Sequence, residues 1–126
     1  MKIQRIAGFN RIYQADCFLD EVKAMFGKNT GEMRRYFKWL YAWLHILDTK
    51  GMDALNYEQF EHLKDTEKPH LCAIRHPHSI INERYLYVYM DDEAAVLLTA
   101  FMEKDKRDYK TAIKRAQNIC SLLEEQ

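Results

Sequence analysis

LCAIRHPHSIINERYLYVYMDDEAAVLLTAFMEKDKRDY, residues 71–109, decides how the rest of the chain is read. Residues 71–75, 84–90 and 94–101 are short runs rich in Val, Leu, Ile, Tyr or Phe. Polar or turn residues bound each of them, which is the mark of strands. From Arg84 to Met90 the residues alternate between tyrosines and aliphatics, so a strand here presents two chemically different faces. Asp91, Asp92 and Glu93 read as a tight reversal. The run AAVLLTAF that follows is apolar on both faces and reads as a central, covered strand. Short links make these three strands an antiparallel meander.

The totals limit what surrounds that meander. At 126 residues the chain is read as one domain, residues 1–126, able to build its own core. Hydrophobic residues make up 48% and aromatics 13%, which argues against disorder. Four glycines and two prolines favour long regular elements. The formal net charge is zero, so bulk electrostatics gives no argument for nucleic acid. An RNA surface would have to come from arrangement, with acidic residues segregated elsewhere. Cys17, Cys72 and Cys120 lack the paired spacing of a metal knuckle or redox pair and read as free thiols in a reducing cytosol. The N-terminus lacks the apolar core of a signal peptide, and no apolar run approaches a membrane span. The expectation is a soluble cytoplasmic protein with no membrane partner.

Residues 2–6 could form a short first strand. Asp16 is a candidate N-cap for a helix through Phe26, with Phe18, Leu19, Val22, Met25 and Phe26 on one face. The cluster at residues 27–31 breaks it. Thr30 then caps a second helix over residues 32–49. Its apolar arc, from Met33, Tyr36, Phe37, Leu40, Leu44 and Leu47 to Trp39, Trp43 and Ile46, covers more than half the circumference. Such an arc is either packed on two sides or partly a partner site, for which Trp39 and Trp43 are the candidates. Gly51 suits the C′ position. Residues 53–63 read as short helical turns. Residues 106–125 form a final amphipathic helix, with Tyr109, Ala112, Ile113, Ala116, Ile119, Cys120 and Leu123 on one face. The expected order is β-α-α-β-β-β-α, an α+β fold.

Arg75, Arg84 and Lys104 fall at the end, start and end of consecutive antiparallel strands and can converge at one end of the sheet. Guanidinium forks there suit phosphate and the charge that builds during phosphoryl transfer. The plainer reading, which spacing alone favours, is strand-end cations paired with Glu83, Glu103, Asp105 or Asp108. Tyr109 opens the last helix near these cations and is a candidate phenolic proton donor or a core aromatic. Tyr85, Tyr87 and Tyr89 could stack bases, but the core is the better place for at least two of them. His70, His76 and His78 complete no zinc spacing; His76 and His78 suit proton transfer or phosphate contact. Lys106 and Arg107 stand just beyond Lys104 as further substrate-binding cations.

ERYLYVYMDDEAAVLLTAFMEKDKRDYKTAIKRA, residues 83–116, resembles the C-terminal half of the RelE/ParE-like toxins of bacterial type II toxin–antitoxin pairs. It is most similar to their phage-derived HigB-like branch. The shared features are the aromatic strand opening at Arg84, the acidic turn at Asp91-Asp92, and the apolar strand ending at Phe101 before Lys104. The helix carrying Ala112, Ile113 and Ala116 matches as well. LCAIR is similar to the family's strand that ends in a functional arginine. Glu103 stands where the HigB-like branch often has a second lysine. The resemblance implies a RelE-like small antiparallel sheet flanked by helices. It also implies a ribosome-dependent mRNA endoribonuclease, a hydrolase needing neither metal nor cofactor, in which the RNA 2′-hydroxyl attacks the adjacent phosphate. A cognate antitoxin protein would neutralise it. Carried over, Arg75 and Arg84 hold the scissile phosphate, Lys104 supplies charge or base character, and Tyr109 is the acid. Two alternatives stay open: a non-catalytic protein-binding module of the same fold, and a ParE-type toxin that acts on gyrase.

Overall fold

The computed structural model describes residues 1–64, 66, 69–76, 82–90 and 93–124. In chain order the elements are β1 (Ile3–Arg5), β2 (Ile12–Ala15), α1 (Phe18–Phe26), α2 (Thr30–Lys50) and a 3-10 helix (Gly51–Asn56). There follow β3 (Phe60–His62), β4 (Leu71–Arg75), β5 (Glu83–Tyr89), β6 (Ala95–Met102) and α3 (Lys106–Glu124). The six strands form one mixed sheet in the order β1-β2-β6-β5-β4-β3. Neighbours are antiparallel except β2 and β6, which run parallel with Ile12 opposite Ala95. The fold is α+β, and β4, β5 and β6 are the expected meander.

The sheet is larger and less uniform than the expected antiparallel one. β2 is a four-residue run that only tertiary context makes a strand: it borrows the free edge of β6, and Asp48 of α2 accepts the backbone N–H of Arg11 at 2.6 Å just before it. Residues 53–63, expected as helical turns, divide into the 3-10 helix and β3, whose Phe60 and Glu61 lie opposite Ile74 and Ala73. The caps also differ. Asp16 accepts the backbone N–H of Lys2, and Cys17 stands at the N-cap of α1 without a side-chain capping bond. At α2 the cap is Asn29, whose side chain accepts the Glu32 N–H at 3.1 Å and donates to the Glu32 carboxylate at 2.6 Å. That reciprocal arrangement satisfies an otherwise orphaned helix N–H and moves Thr30 inside the helix.

The sheet separates two cores. On one face Tyr85, Tyr87, Cys72, Ile74 and Leu97 pack beneath Phe18 and Val22 of α1 and Tyr36, Leu40, Leu44 and Leu47 of α2. On the other, Leu71, Ala73, Leu86, Val96 and Leu98 pack against Ala112, Ala116, Ile119 and Cys120 of α3. Strand β6 is therefore covered on both sides, as its unbroken apolar run implies. The register of β5 slips between Leu86, opposite Thr99, and Tyr87, opposite Leu97, so Leu98 has no cross-strand partner. This bulge lets Leu98 join the α3 core. Tyr85 and Tyr87 are core residues, and Tyr89 is half-buried with its hydroxyl on the Gly51 carbonyl at 3.1 Å. The turn expected at Asp91-Asp92 lies outside the described residues. Among those residues no helix is long and apolar enough to cross a membrane.

Leu97 is fully buried in the middle of the sheet. Leu97→Ala is expected to cost about 2–5 kcal/mol of stability. Asn29→Ala, which removes only the α2 cap, is expected to cost about 1 kcal/mol. Urea unfolding of the two variants checks both the sizes and their order.

Candidate functional site

Alternation along β4 and β5 gives the end of the sheet two unlike faces. Arg75 and Arg84 are direct cross-strand partners. They share the face of Ala73 and Leu86, the face that α3 covers. Phe101 of β6 lies opposite Arg84. Tyr109, in the first turns of α3, sets its ring edge-on to Phe101 with centroids 5.0 Å apart. The Arg84 guanidinium lies near enough to the Tyr109 hydroxyl to act on it electrostatically. Burial pushes that phenol above its ordinary pKa while Arg84 draws it back, so it holds its proton at neutral pH. The structure thus brings together three of the four residues expected to act on phosphate.

The acids are not segregated from them. Glu103 lies 3.1 Å from Nε of Arg84, and Glu61 lies 3.5 Å from Nη1 of Arg75. Arg84 also donates to the Glu83 carbonyl at 2.9 Å and Arg75 to the Glu58 carbonyl at 3.3 Å. The strand-end pairing that spacing favours is therefore real for Glu103, and it explains how neutral net charge coexists with paired arginines. The Arg84 side chain is 13% exposed and that of Arg75 41%, so Arg75 is the more accessible of the two.

Lys104 follows β6 at the same end of the sheet and is exposed. Its backbone N–H is held by Asp108, which also accepts the Asp105 N–H. Asp105 accepts the backbone N–H of Arg107 at 2.7 Å and lies 3.5 Å from its guanidinium. Lys106 and Arg107 are exposed in the first turn of α3. These carboxylates serve the helix start and do not reach Arg84.

The opposite face holds a cluster that the sequence reading did not assemble. His76, expected as a substrate contact, is 8% exposed and lies beneath α2, away from the arginine face. Its ring packs edge-on against Trp43 at 4.3 Å and Trp39 at 4.9 Å, with Tyr36 at 5.8 Å. Nε2 of His76 meets Oε1 of Glu83, and the Tyr85 hydroxyl donates to Oε2 of Glu83. Glu83 is fully buried. Spacing offers it as a partner for the strand-end cations, but residue 83 shares the parity of Tyr85 and Tyr87 and so faces α2. A carboxylate on an otherwise aromatic strand face was the signal available. Trp43, half-buried on His76, belongs to intramolecular packing, whereas Trp39 keeps 40% of its surface exposed. His78 lies outside the described residues.

Burial raises the Glu83 carboxyl from 4.5 to about 7, although Tyr85 and Arg84 oppose the shift. Burial, with Arg84 adding to it, lowers His76 from 6.5 to about 4. Neither group is favoured in its charged form, and over the intervening range one proton serves the contact. Among the described residues, no three His, Cys, Asp or Glu side chains are grouped to hold a metal ion. No protein-family model matches this chain, and no curated protein matches it.

A carboxyl whose pKa is raised on folding binds protons more tightly in the native state, so its contribution to stability falls as pH rises. For Glu83 the loss begins near 4.5 and levels off above about 7. Glu83→Gln does not titrate. Its stability relative to the unmodified protein is expected to rise across that window and then stay level, which unfolding curves at a series of pH values would detect.

Proposed function

We propose that this protein is a metal-independent endoribonuclease that cuts mRNA on the ribosome, the toxin of a toxin–antitoxin pair. The observation that carries the reading is the Arg75–Arg84 cross-strand pair, with Tyr109 packed on Phe101 opposite Arg84. Two cross-strand arginines at the end of a sheet, one of them near a protonated phenol, suit a phosphodiester whose charge increases as it reacts. The resemblance of residues 71–116 to the HigB-like branch supports the same chemistry.

In this reading the RNA 2′-oxygen bonds to the adjacent phosphorus while the bond to the 5′-oxygen breaks. The products are a 2′,3′-cyclic phosphate and a 5′-hydroxyl. Arg75 and Arg84 stabilise the pentacoordinate phosphorus, and exposed Lys104 adds positive charge from beyond β6. The 2′-hydroxyl proton leaves to solvent, and Tyr109 gives its proton to the departing oxygen. Phosphate must displace Glu103 and Glu61. The exposed Arg75–Glu61 pair is worth about 0.2–1 kcal/mol, and the more buried Arg84–Glu103 pair is the costlier one for a polyanion to displace. Lys106 and Arg107 extend the basic surface along the strand of RNA. An antitoxin helix or strand would cover the partly exposed Trp39 or a sheet edge.

The second reading is a non-catalytic binding module. It is favoured by one specific observation, the pairing of Arg84 with Glu103. Cleavage-site mapping in a purified translation system separates the two. The nuclease reading expects cuts that require ribosomes and disappear in Arg84→Ala. Tyr109→Phe is expected to slow cleavage by about 10²-fold or more, Lys104→Ala to weaken it, and Glu103→Gln to keep or raise it. A folded protein that makes no cuts would reject the nuclease, and gyrase binding would then be tested for the ParE-type alternative.

A further inference from the structure

Among the described residues the β4–β5 ladder ends at the pair Arg75 and Arg84. One residue further on each strand, His76 and Glu83 meet on the opposite face. Each arginine is thus joined by a single peptide bond to one member of this buried contact. A turn of the backbone at 76 or 83 would swing the neighbouring guanidinium stem away from the α3 face. Glu83 is also tied at its second oxygen by Tyr85, and His76 is held from α2 by Trp39, Trp43 and Tyr36. The contact is therefore fixed at both ends by residues of the core.

We propose that His76 and Glu83 are positioning residues for the Arg75–Arg84 anion site, clasping the end of the β4–β5 pair so that the two arginines stay cross-strand partners on the α3 face. The proposal rests on the reading of those arginines as the site that takes RNA phosphate. It assigns His76 and Glu83 no contact with RNA.

The clasp also links the site to pH. The charged and titratable groups that act on Glu83 are His76 just after β4, Tyr85 and, from the other face, Arg84 of β5, and Glu32 and the Tyr36 hydroxyl from α2. Arg84 is the cation among those that favour ionised Glu83. By reciprocity, an ionised Glu83 offsets part of the charge that Arg84 offers a phosphate. Anion affinity should therefore fall as pH rises through the ionisation of Glu83. Glu83→Gln keeps an acceptor for His76 and removes that titration.

The test uses a fluorescent single-stranded RNA with 2′-O-methyl groups, which cannot be cut by 2′-hydroxyl attack. It also uses the guanidinium Nε–H nuclear magnetic resonance signals of Arg75 and Arg84, which need no ligand. His76→Ala and Glu83→Ala are expected to weaken RNA binding about tenfold, the equivalent of one lost charged hydrogen bond, and to shift both guanidinium signals. Glu83→Gln is expected to bind like the unmodified protein at about pH 6 and to lose the decline in affinity toward about pH 8. A purely structural role would not flatten that profile. If the alanine variants do not fold, His76→Asn carries the binding and guanidinium readouts and Glu83→Gln the pH profile. Unchanged guanidinium signals in the folded His76→Ala, Glu83→Ala or His76→Asn variants, or a Glu83→Gln profile that still declines, would overturn the proposal. Failure of the unmodified protein to bind, or equal binding by Arg84→Ala, would instead reject the anion-site reading, while the guanidinium signals still decide the positioning.

Discussion

Successive side chains along β5 leave the strand on opposite faces. Tyr85 and Tyr87 therefore share a face with Glu83, while Arg84 shares the other with Leu86. The phenols need the cover of α1 and α2, and the aliphatic face needs α3. With both helical layers in place, Glu83 is fully buried and Arg84 meets Glu103 just past the end of β6. The buried acid and the paired arginines are consequences of one alternation, separated by the thickness of a strand.

The electrostatics follow from the same geometry. A chain with zero formal net charge can still place two arginines at paired positions, because the guanidinium of each meets a carboxylate. Those carboxylates are partly exposed, and screened pairs of this kind are weak. The Glu83 contact is different in kind. It is sealed beneath two tryptophans and a tyrosine, where an unpaired charge would be costly. One pair is replaceable by a ligand, and the other is part of the scaffold.

Much of this was readable from residues alone. The three-strand meander, both cations at the β4–β5 end, the covered nature of β6 and the face of α3 all came from periodicity. Period-two and period-3.6 patterns are strong over seven or more residues. β2 and β3, four and three residues long, carry no such pattern. They exist because the edges of β6 and β4 supply hydrogen bonds, which is a tertiary effect. The cap of α2 was misplaced by one residue because Asn29 and Thr30 both suit the role, and only Glu32 decides between them. The role of His76 was hidden for another reason: its loop setting suggested exposure, and nothing local reveals that Trp39 and Trp43, more than thirty positions earlier, close over it.

The chemistry of the cut ends tests the central claim most directly. Fragments released from ribosome-bound mRNA by the purified protein should carry a 5′-hydroxyl on the downstream piece and a 2′,3′-cyclic phosphate, or its 3′-phosphate hydrolysis product, on the upstream piece. A 5′-phosphate on the downstream piece, or no fragments from a folded protein, would contradict 2′-hydroxyl attack at the Arg75–Arg84 pair.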